Sequence, residues 1–141
     1  GGTIEGEETS NRTVMIPTSV IFQKDIINYT GNDEYILDEI TTAITYESDL
    51  KKAEDIILSS TEKIMKSYWK KFPKKFPKKA HNRLKFKDSG IDITVRYHSI
   101  AKMRNNISTK IIREIFNRIR ESKDVEIAYP HTEVLFREKN K

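Results

Sequence analysis

The chain has 141 residues, of which 36% are apolar and 33% charged, and it contains no cysteine. This length accommodates one ordinary domain with a small additional segment, and the composition is typical of a folded, polar protein. The lack of cysteine excludes disulfide bonds, a thiolate nucleophile and cysteine-ligated zinc, while a net charge of +5 favours anionic partners without identifying one.

The first segment with a clear pattern is VMIPTSVIFQKDIINYT, residues 14–30. It is rich in apolar residues, yet it has neither the strict alternation of a strand nor the spacing of a helix. Pro17 interrupts it, and proline fits only the end or the edge of a strand because it has no N–H to donate. No run in the chain approaches the roughly 18 apolar residues of a membrane-spanning helix. We therefore expect the chain as it stands to be soluble.

Residues 35–46, YILDEITTAITY, alternate between apolar and polar side chains and predict a half-buried strand. A long amphipathic helix is predicted next. Ser48 and Asp49 are suitable N-terminal caps, and Pro73 requires the helix to end before it. The predicted apolar stripe of this helix contains Leu50, Ala53, Ile57, Ile64 and Tyr68.

A hairpin is predicted over residues 83–98, with Leu84 and Phe86 facing the core and DSG as the turn. Gly90 is expected there because a three-residue turn usually places one residue at positive φ. A second helix follows, with isoleucine at every fourth position from 107 to 119, a cap at Asn105 or Asn106, and Glu114 four residues before Arg118. The last predicted element is a pair of short strands, residues 125–138, around Pro130 at an edge or a bend.

From residue 35 the predicted order is βαββαβ, which is the ferredoxin-like split βαβ arrangement of the α+β class. Two helices cover one face of a four-stranded antiparallel sheet, and the other face stays open. The hairpin side chains predicted on this open face are Arg83, Lys85, Lys87, Asp92, Thr94, Arg96 and His98.

A sheet of this kind with a basic open face is also the arrangement of RNA-recognition domains, which stack bases on exposed aromatic rings. The corresponding positions carry Thr94, Arg96 and Lys85, so the stacking platform is missing. Attraction to phosphate alone gives weak, salt-sensitive binding. We expect no specific nucleic-acid recognition, and a small basic RNA- or phosphate-binding domain is the alternative function.

The most biased stretch is KKFPKKFPKK, residues 70–79, in which two prolines prevent a helix. One hypothesis is that its lysines bind anionic lipid headgroups or concentrate anions, while Phe72 and Phe76 enter an interface. The favoured interpretation is a solvated loop that its phenylalanines attach to the domain. The six cations are Lys70, Lys71, Lys74, Lys75, Lys78 and Lys79.

No pattern in the sequence predicts catalysis. The three histidines lack metal-ligand spacing, and there is no Gly-x-Ser-x-Gly, P-loop or dinucleotide motif. We expect a protein that is not an enzyme and that binds no cofactor or metal.

The leading segment contains IPTS (residues 16–19) and INYT (residues 27–30), which resemble the end of the middle β-domain of the small-conductance mechanosensitive channel (MscS) family. Thr18 stands where that family usually has asparagine. Three further stretches resemble the cytoplasmic region of the family in the same order. YESDLKKAEDII (residues 46–57) is similar to the start of its first cytoplasmic helix. DSGIDITVRYH (residues 88–98) resembles its central strand, and VEIAYPHTEV (residues 125–134) its closing motif.

The resemblance implies a partial, Sm-like all-β segment over residues 1–33 and a ferredoxin-like domain over residues 34–141. It implies a ring of identical subunits, seven in the family, that forms a vestibule on the cytoplasmic side of the cell membrane, below a tension-gated pore that responds to osmotic stress. The partners are then other copies of the chain, the ions in the vestibule and anionic lipid.

Under this resemblance the leading segment is covered by neighbouring copies, whereas the alternative is an ordinary edge strand that folds back on its own domain. The expected interface residues are Val14, Ile16, Pro17, Val20, Ile21, Phe22 and Asn28. The six lysines of residues 70–79 and Arg96 are the cations expected to face ions or lipid.

Overall fold

The structure is a computed structural model that describes residues 34–129, together with the backbone of a strand at Phe22–Asn28. In chain order the elements are β1 (Phe22–Asn28), β2 (Tyr35–Ile44), α1 (Leu50–Trp69), β3 (His81–Phe86), β4 (Ile91–Ile100), a 3₁₀ turn (Ala101–Met103) and α2 (Arg104–Glu121).

The predicted α+β class is confirmed, since two helices lie over an antiparallel sheet. Its centre is the three-stranded unit β2-β4-β3, in which β2 and β4 pair over ten residues, from Tyr35↔Ile100 to Ile44↔Ile91. β3 pairs with β4 up to His81↔Arg96. β1 adds to the free edge of β2 and gives the sheet order β1-β2-β4-β3.

α1 begins where the sequence predicts, because the Asp49 carboxylate accepts a hydrogen bond from the Lys52 N–H at 3.0 Å. The predicted caps of α2 are wrong. The 3₁₀ turn runs directly into α2, so this helix begins at Arg104 without a side-chain cap. Its isoleucine row is buried as predicted.

Contacts between the two helices differ from the predicted pairs within α2. Glu114 forms an ion pair with Lys63 of α1 at 3.1 Å, rather than with Arg118 of its own helix. Arg118 donates to the Ser60 hydroxyl of α1 at 3.1 Å. These contacts join the two helices to each other above the sheet.

Leu84 and Phe86 lie on the predicted side of the sheet, but they are not buried in the core. Both lie on the helix-covered side of the sheet, opposite Ile93 and Ile91, but their exposed fractions are 43% and 71%. The helices pack mainly over the central strands, so the outer strand β3 receives little cover. The core lies between β2, β4 and the helices, and its fully buried members include Ile40, Ile44, Ile57, Met65, Ile93, Val95, Ile107, Ile111 and Ile115.

The predicted closing strand reaches the sheet only as a single bridge within the described residues, at Ile127 opposite Ile44. In this segment the Ala128 N–H donates to Ala43 O at 2.9 Å. This is the edge of β2 that β1 also occupies, because β4 pairs with the opposite edge. Phe22 of β1 pairs with Thr42, two residues from Ile44. β1 therefore holds most of the edge on which the closing segment forms its bridge, and residues 130–138 lie outside the described part of the chain.

Candidate functional site

Three of the stretches that carry the family resemblance meet at one end of the sheet, which we call the Gly90 junction (residues 44–49, 88–91 and 124–128). A Cβ atom at Gly90 would lie 2.3 Å from the carbonyl oxygen of Ile44 and 2.9 Å from Cβ of Ala128. Gly90 does not have a positive φ. Glycine is therefore required here by close packing and not by the left-handed conformation that the turn length predicts.

Hydrogen bonds complete the Gly90 junction. The Ser48 hydroxyl accepts from the Glu126 N–H at 2.9 Å and shares a bond of 2.8 Å with the Thr45 hydroxyl. The Asp49 N–H donates to Asp124 O at 2.8 Å. These bonds connect the start of α1 to the segment after α2 and line an open cleft of about 640 Å³. The described residues contain no group of three His, Cys, Asp or Glu side chains placed to hold a metal ion.

The open face of the sheet is charged, and two of its arginines, Arg83 and Arg96, lie beside a single carboxylate, that of Glu39. Glu39 is only 8% exposed because the guanidinium of Arg96 forms an ion pair with it and that of Arg83 lies 3.9 Å away. Beside this cluster the hydroxyls of Thr41 and Thr94 form a hydrogen bond of 2.8 Å. Arg96, expected to face ions, is thus engaged by Glu39 and is not a free cation.

Aromatic rings on the open face lie at its end and are covered. Tyr35 packs against Phe72 and Phe76 with ring centroids 4.8 and 4.7 Å apart. His98 is buried and lies 5.5 Å from the Phe76 ring. Burial lowers the pKa of His98 below 6.5, and repulsion from His81 lowers it further. The described centre of this face therefore offers hydroxyls and paired charges rather than a stacking surface.

The loop between α1 and β3, residues 70–80, is here called the lysine loop. Its six lysines are exposed, whereas Phe72 and Phe76 are 6% and 2% exposed. The rings fill the space where β4 extends past the end of β3, beyond the pair His81↔Arg96. The interpretation that the phenylalanines attach the loop to the domain is confirmed, and the hypothesis that they enter an interface is wrong.

A groove beside the lysine loop brings together cations from two elements. It has a volume of about 330 Å³ and is lined by Lys66 and Trp69 of α1, Lys70 and Lys78 of the loop, and Glu62. We call it the lysine groove. Sequence reasoning did not single out Lys66, because the pattern of α1 does not show that the loop folds back beside it.

A buried polar cluster on the helix side of the sheet was also missed. The Asp38 side chain is fully buried and accepts from the Tyr97 hydroxyl at 3.1 Å and the Glu39 N–H at 2.9 Å, with Arg104 Nε at 3.6 Å. Burial and the nearby Asp38 charge raise the pKa of Tyr97 well above 10.0. The only sequence signal was a carboxylate at an apolar position of the β2 alternation.

The expected interface residues fall largely outside the described part of the chain, which begins with the backbone of β1. Val14, Ile16, Pro17, Val20 and Ile21 precede it. Phe22 and Asn28 are the end residues of β1, and their backbones pair with Thr42 and Ile36.

Comparison with known proteins does not assign the chain. No protein-family model matches the sequence, and no curated protein matches it.

Proposed function

We propose that this chain is a ring-forming, non-catalytic cytoplasmic portion of a mechanosensitive channel subunit similar to the MscS family. The observation that supports the proposal is the Gly90 junction. Three stretches that resemble that family meet there, through the close approach of Gly90 to Ala128 and the hydrogen bond from the Glu126 N–H to the Ser48 hydroxyl, so these residues act in packing and hydrogen bonding. This is what a structural wall requires, since it needs a defined shape rather than a reactive group.

The proposal includes a finer description of the fold. Residues 34–141 form a ferredoxin-like domain whose closing segment begins a fourth strand at the Ile44↔Ile127 bridge, while β1 occupies the rest of that edge. Residues 1–33 belong to a partial, Sm-like β-domain. β1 is the connection between them, because it lies within the first segment and its backbone pairs with β2 of the second. The apolar residues that precede β1 are then available to neighbouring copies.

Assembly follows from the physical chemistry of that leading segment. Val14, Ile16, Val20 and Ile21 are apolar residues that a ring would bury between subunits. Removing apolar surface from water contributes about 25 cal/mol for each Å². In the parent channel the ring lies on the cytoplasmic side of the membrane, and ions reach the pore through it.

The alternative is a small RNA- or phosphate-binding domain, and the open face of the sheet favours our proposal over RNA binding at that face. A nucleic-acid surface needs free cations or exposed rings. Here Arg96 and Arg83 are directed to Glu39. A filter-binding titration against RNA in increasing salt distinguishes the two functions, and we expect only weak binding that disappears at physiological salt.

The main test is the oligomeric state of the 141-residue chain by sedimentation velocity over a range of concentrations. We expect a closed species of about seven times the 16.5 kDa chain mass. The variant Ile16→Ser/Val20→Ser/Ile21→Ser should shift it to monomer, because the substitutions remove the apolar surface that assembly buries.

The matched control is Leu84→Ser/Phe86→Ser, which removes exposed apolar side chains from the opposite edge of the sheet. It should leave the ring intact. A chain that stays monomeric at every concentration, or a ring that is lost in the control and kept in the leading-segment variant, would contradict the proposal.

A further inference from the structure

The lysine groove has a positive lining with little internal compensation. The side chains of three lysines, Lys66, Lys70 and Lys78, line it together with one acidic side chain, Glu62. None of the three lysines forms an ion pair with a described residue. Glu62 accepts a hydrogen bond from the Ala80 N–H at 3.4 Å, so part of its acceptor capacity serves the loop backbone. The groove is therefore a concave site with a net positive charge.

The framework of the groove is held in place from beneath. Trp69 is buried and donates its indole N–H to His98 O at 2.9 Å. Phe72 and Phe76, on either side of Pro73, are buried in the core. The Phe76 N–H donates to Pro73 O at 3.1 Å, which closes a turn within the loop. The lysine stems thus start from fixed backbone positions, and this lowers the entropic cost of directing them at one ligand.

We propose that the lysine groove binds a phosphate-bearing anion of the size of a diphosphate or larger. Three lysines that line one groove carry like charges that repel each other, and a multivalent anion relieves that repulsion while accepting charge-assisted hydrogen bonds. Lysine suits phosphate as a compact point charge with three donors. The volume of about 330 Å³ exceeds what a single phosphate group needs. The inference does not depend on the channel assignment.

Two phosphate sources share this chemistry, a soluble polyphosphate and a phospholipid headgroup. The probes are pyrophosphate, measured by isothermal titration calorimetry, and phosphatidylcholine vesicles with and without phosphatidylglycerol, measured by co-sedimentation. Binding of pyrophosphate identifies a soluble anion. Binding confined to vesicles that contain phosphatidylglycerol identifies a headgroup.

The groove variant is Lys66→Gln/Lys70→Gln/Lys78→Gln, and the chain offers a matched control in Lys71→Gln/Lys74→Gln/Lys79→Gln. Both remove three exposed lysines from the same region, but the control residues do not line the groove. We expect the groove variant to weaken binding by about tenfold or more and the control by about twofold. Circular dichroism checks that both variants fold.

The result that supports the proposal is a selective loss in the groove variant with either probe. Equal losses in both variants would overturn it, because they would show diffuse attraction to a basic loop rather than a site. Failure of the unmodified chain to bind either probe would overturn it as well.

Discussion

Replacing Gly90 with alanine tests whether the family-like stretches determine the fold through close packing. The added Cβ would lie 2.3 Å from Ile44 O and 2.9 Å from Ala128 Cβ, whereas ordinary van der Waals contacts begin at 3.4 Å. The Ile44 backbone cannot simply move away, since β2 is paired with β4 on one side and bridges Ile127 on the other. Relief therefore requires displacement of the turn or of the closing segment.

The expected destabilisation can be estimated from the packing. Adding a methyl group to a filled site costs about 1–3 kcal/mol, and a clash with backbone belongs at the upper end of that range. With an unfolding entropy of about 2.1 cal/mol/K per residue, 3 kcal/mol corresponds to a fall in Tm of about 10 °C for a chain of this length. We expect Gly90→Ala to reach this magnitude, and Gly90→Val to exceed it.

The assay is urea denaturation followed by circular dichroism, with Asp88→Ala as the control. Asp88 is an exposed residue of the same turn, and its substitution should change the free energy of unfolding by less than about 0.5 kcal/mol. The double variant Gly90→Ala/Ala128→Gly should recover about 1 kcal/mol, because it removes the contact with Ala128 but leaves the clash with Ile44 O. A Gly90→Ala protein as stable as the control would refute the argument that this position is closed to a side chain.

Three further predictions concern the buried polar groups. Trp69→Phe should lower the free energy of unfolding by about 1–3 kcal/mol in urea denaturation, because it leaves His98 O without its donor; an unchanged midpoint would contradict this. Because the folded-state pKa of Tyr97 is raised, its contribution to stability is complete below pH 10 and is lost as the pH rises further. Tyr97→Phe should therefore lose less stability than the parent chain in thermal melts from pH 9 to 11. Because the folded-state pKa of His98 is lowered, its contribution to stability is present above pH 6.5 and is lost as the pH falls. His98→Gln should therefore lose less stability than the parent chain between pH 7 and 5. An acid dependence identical in the two proteins would show that another group controls it.

The local periodicity of apolar residues was sufficient to predict the elements whose buried face it determines. The alternation in β2 and β4 and the isoleucine row of α2 each correspond to an observed strand or helix. The same alternation failed for Leu84 and Phe86, since whether an apolar face is covered depends on where the helices lie. A strand at the edge of a sheet can have the pattern of a central one and still face solvent.

The candidate sites depended even more on tertiary contacts. The cross-strand pair Glu39↔Arg96 follows only from the register of β2 and β4, so the sequence alone did not show that Arg96 has an acidic partner. Lys66 joins Lys70 and Lys78 only because the loop folds back along α1. Composition correctly indicated the basic loop, but it could not separate the lysines that line a groove from those that do not.

The shared edge of β2 constrains how the two ends of the chain can coexist. If the closing segment continued in the register set by Ile44↔Ile127, Tyr129 would fall opposite Thr42, the position that Phe22 holds. The next residue, Pro130, would come opposite Thr41, where proline has no N–H to donate to the ladder. β1 lacks that defect, because it contains no proline. The edge therefore belongs to β1 from Thr42 onward in the described sheet, and a strand that included Pro130 in place of β1 would lose a ladder hydrogen bond.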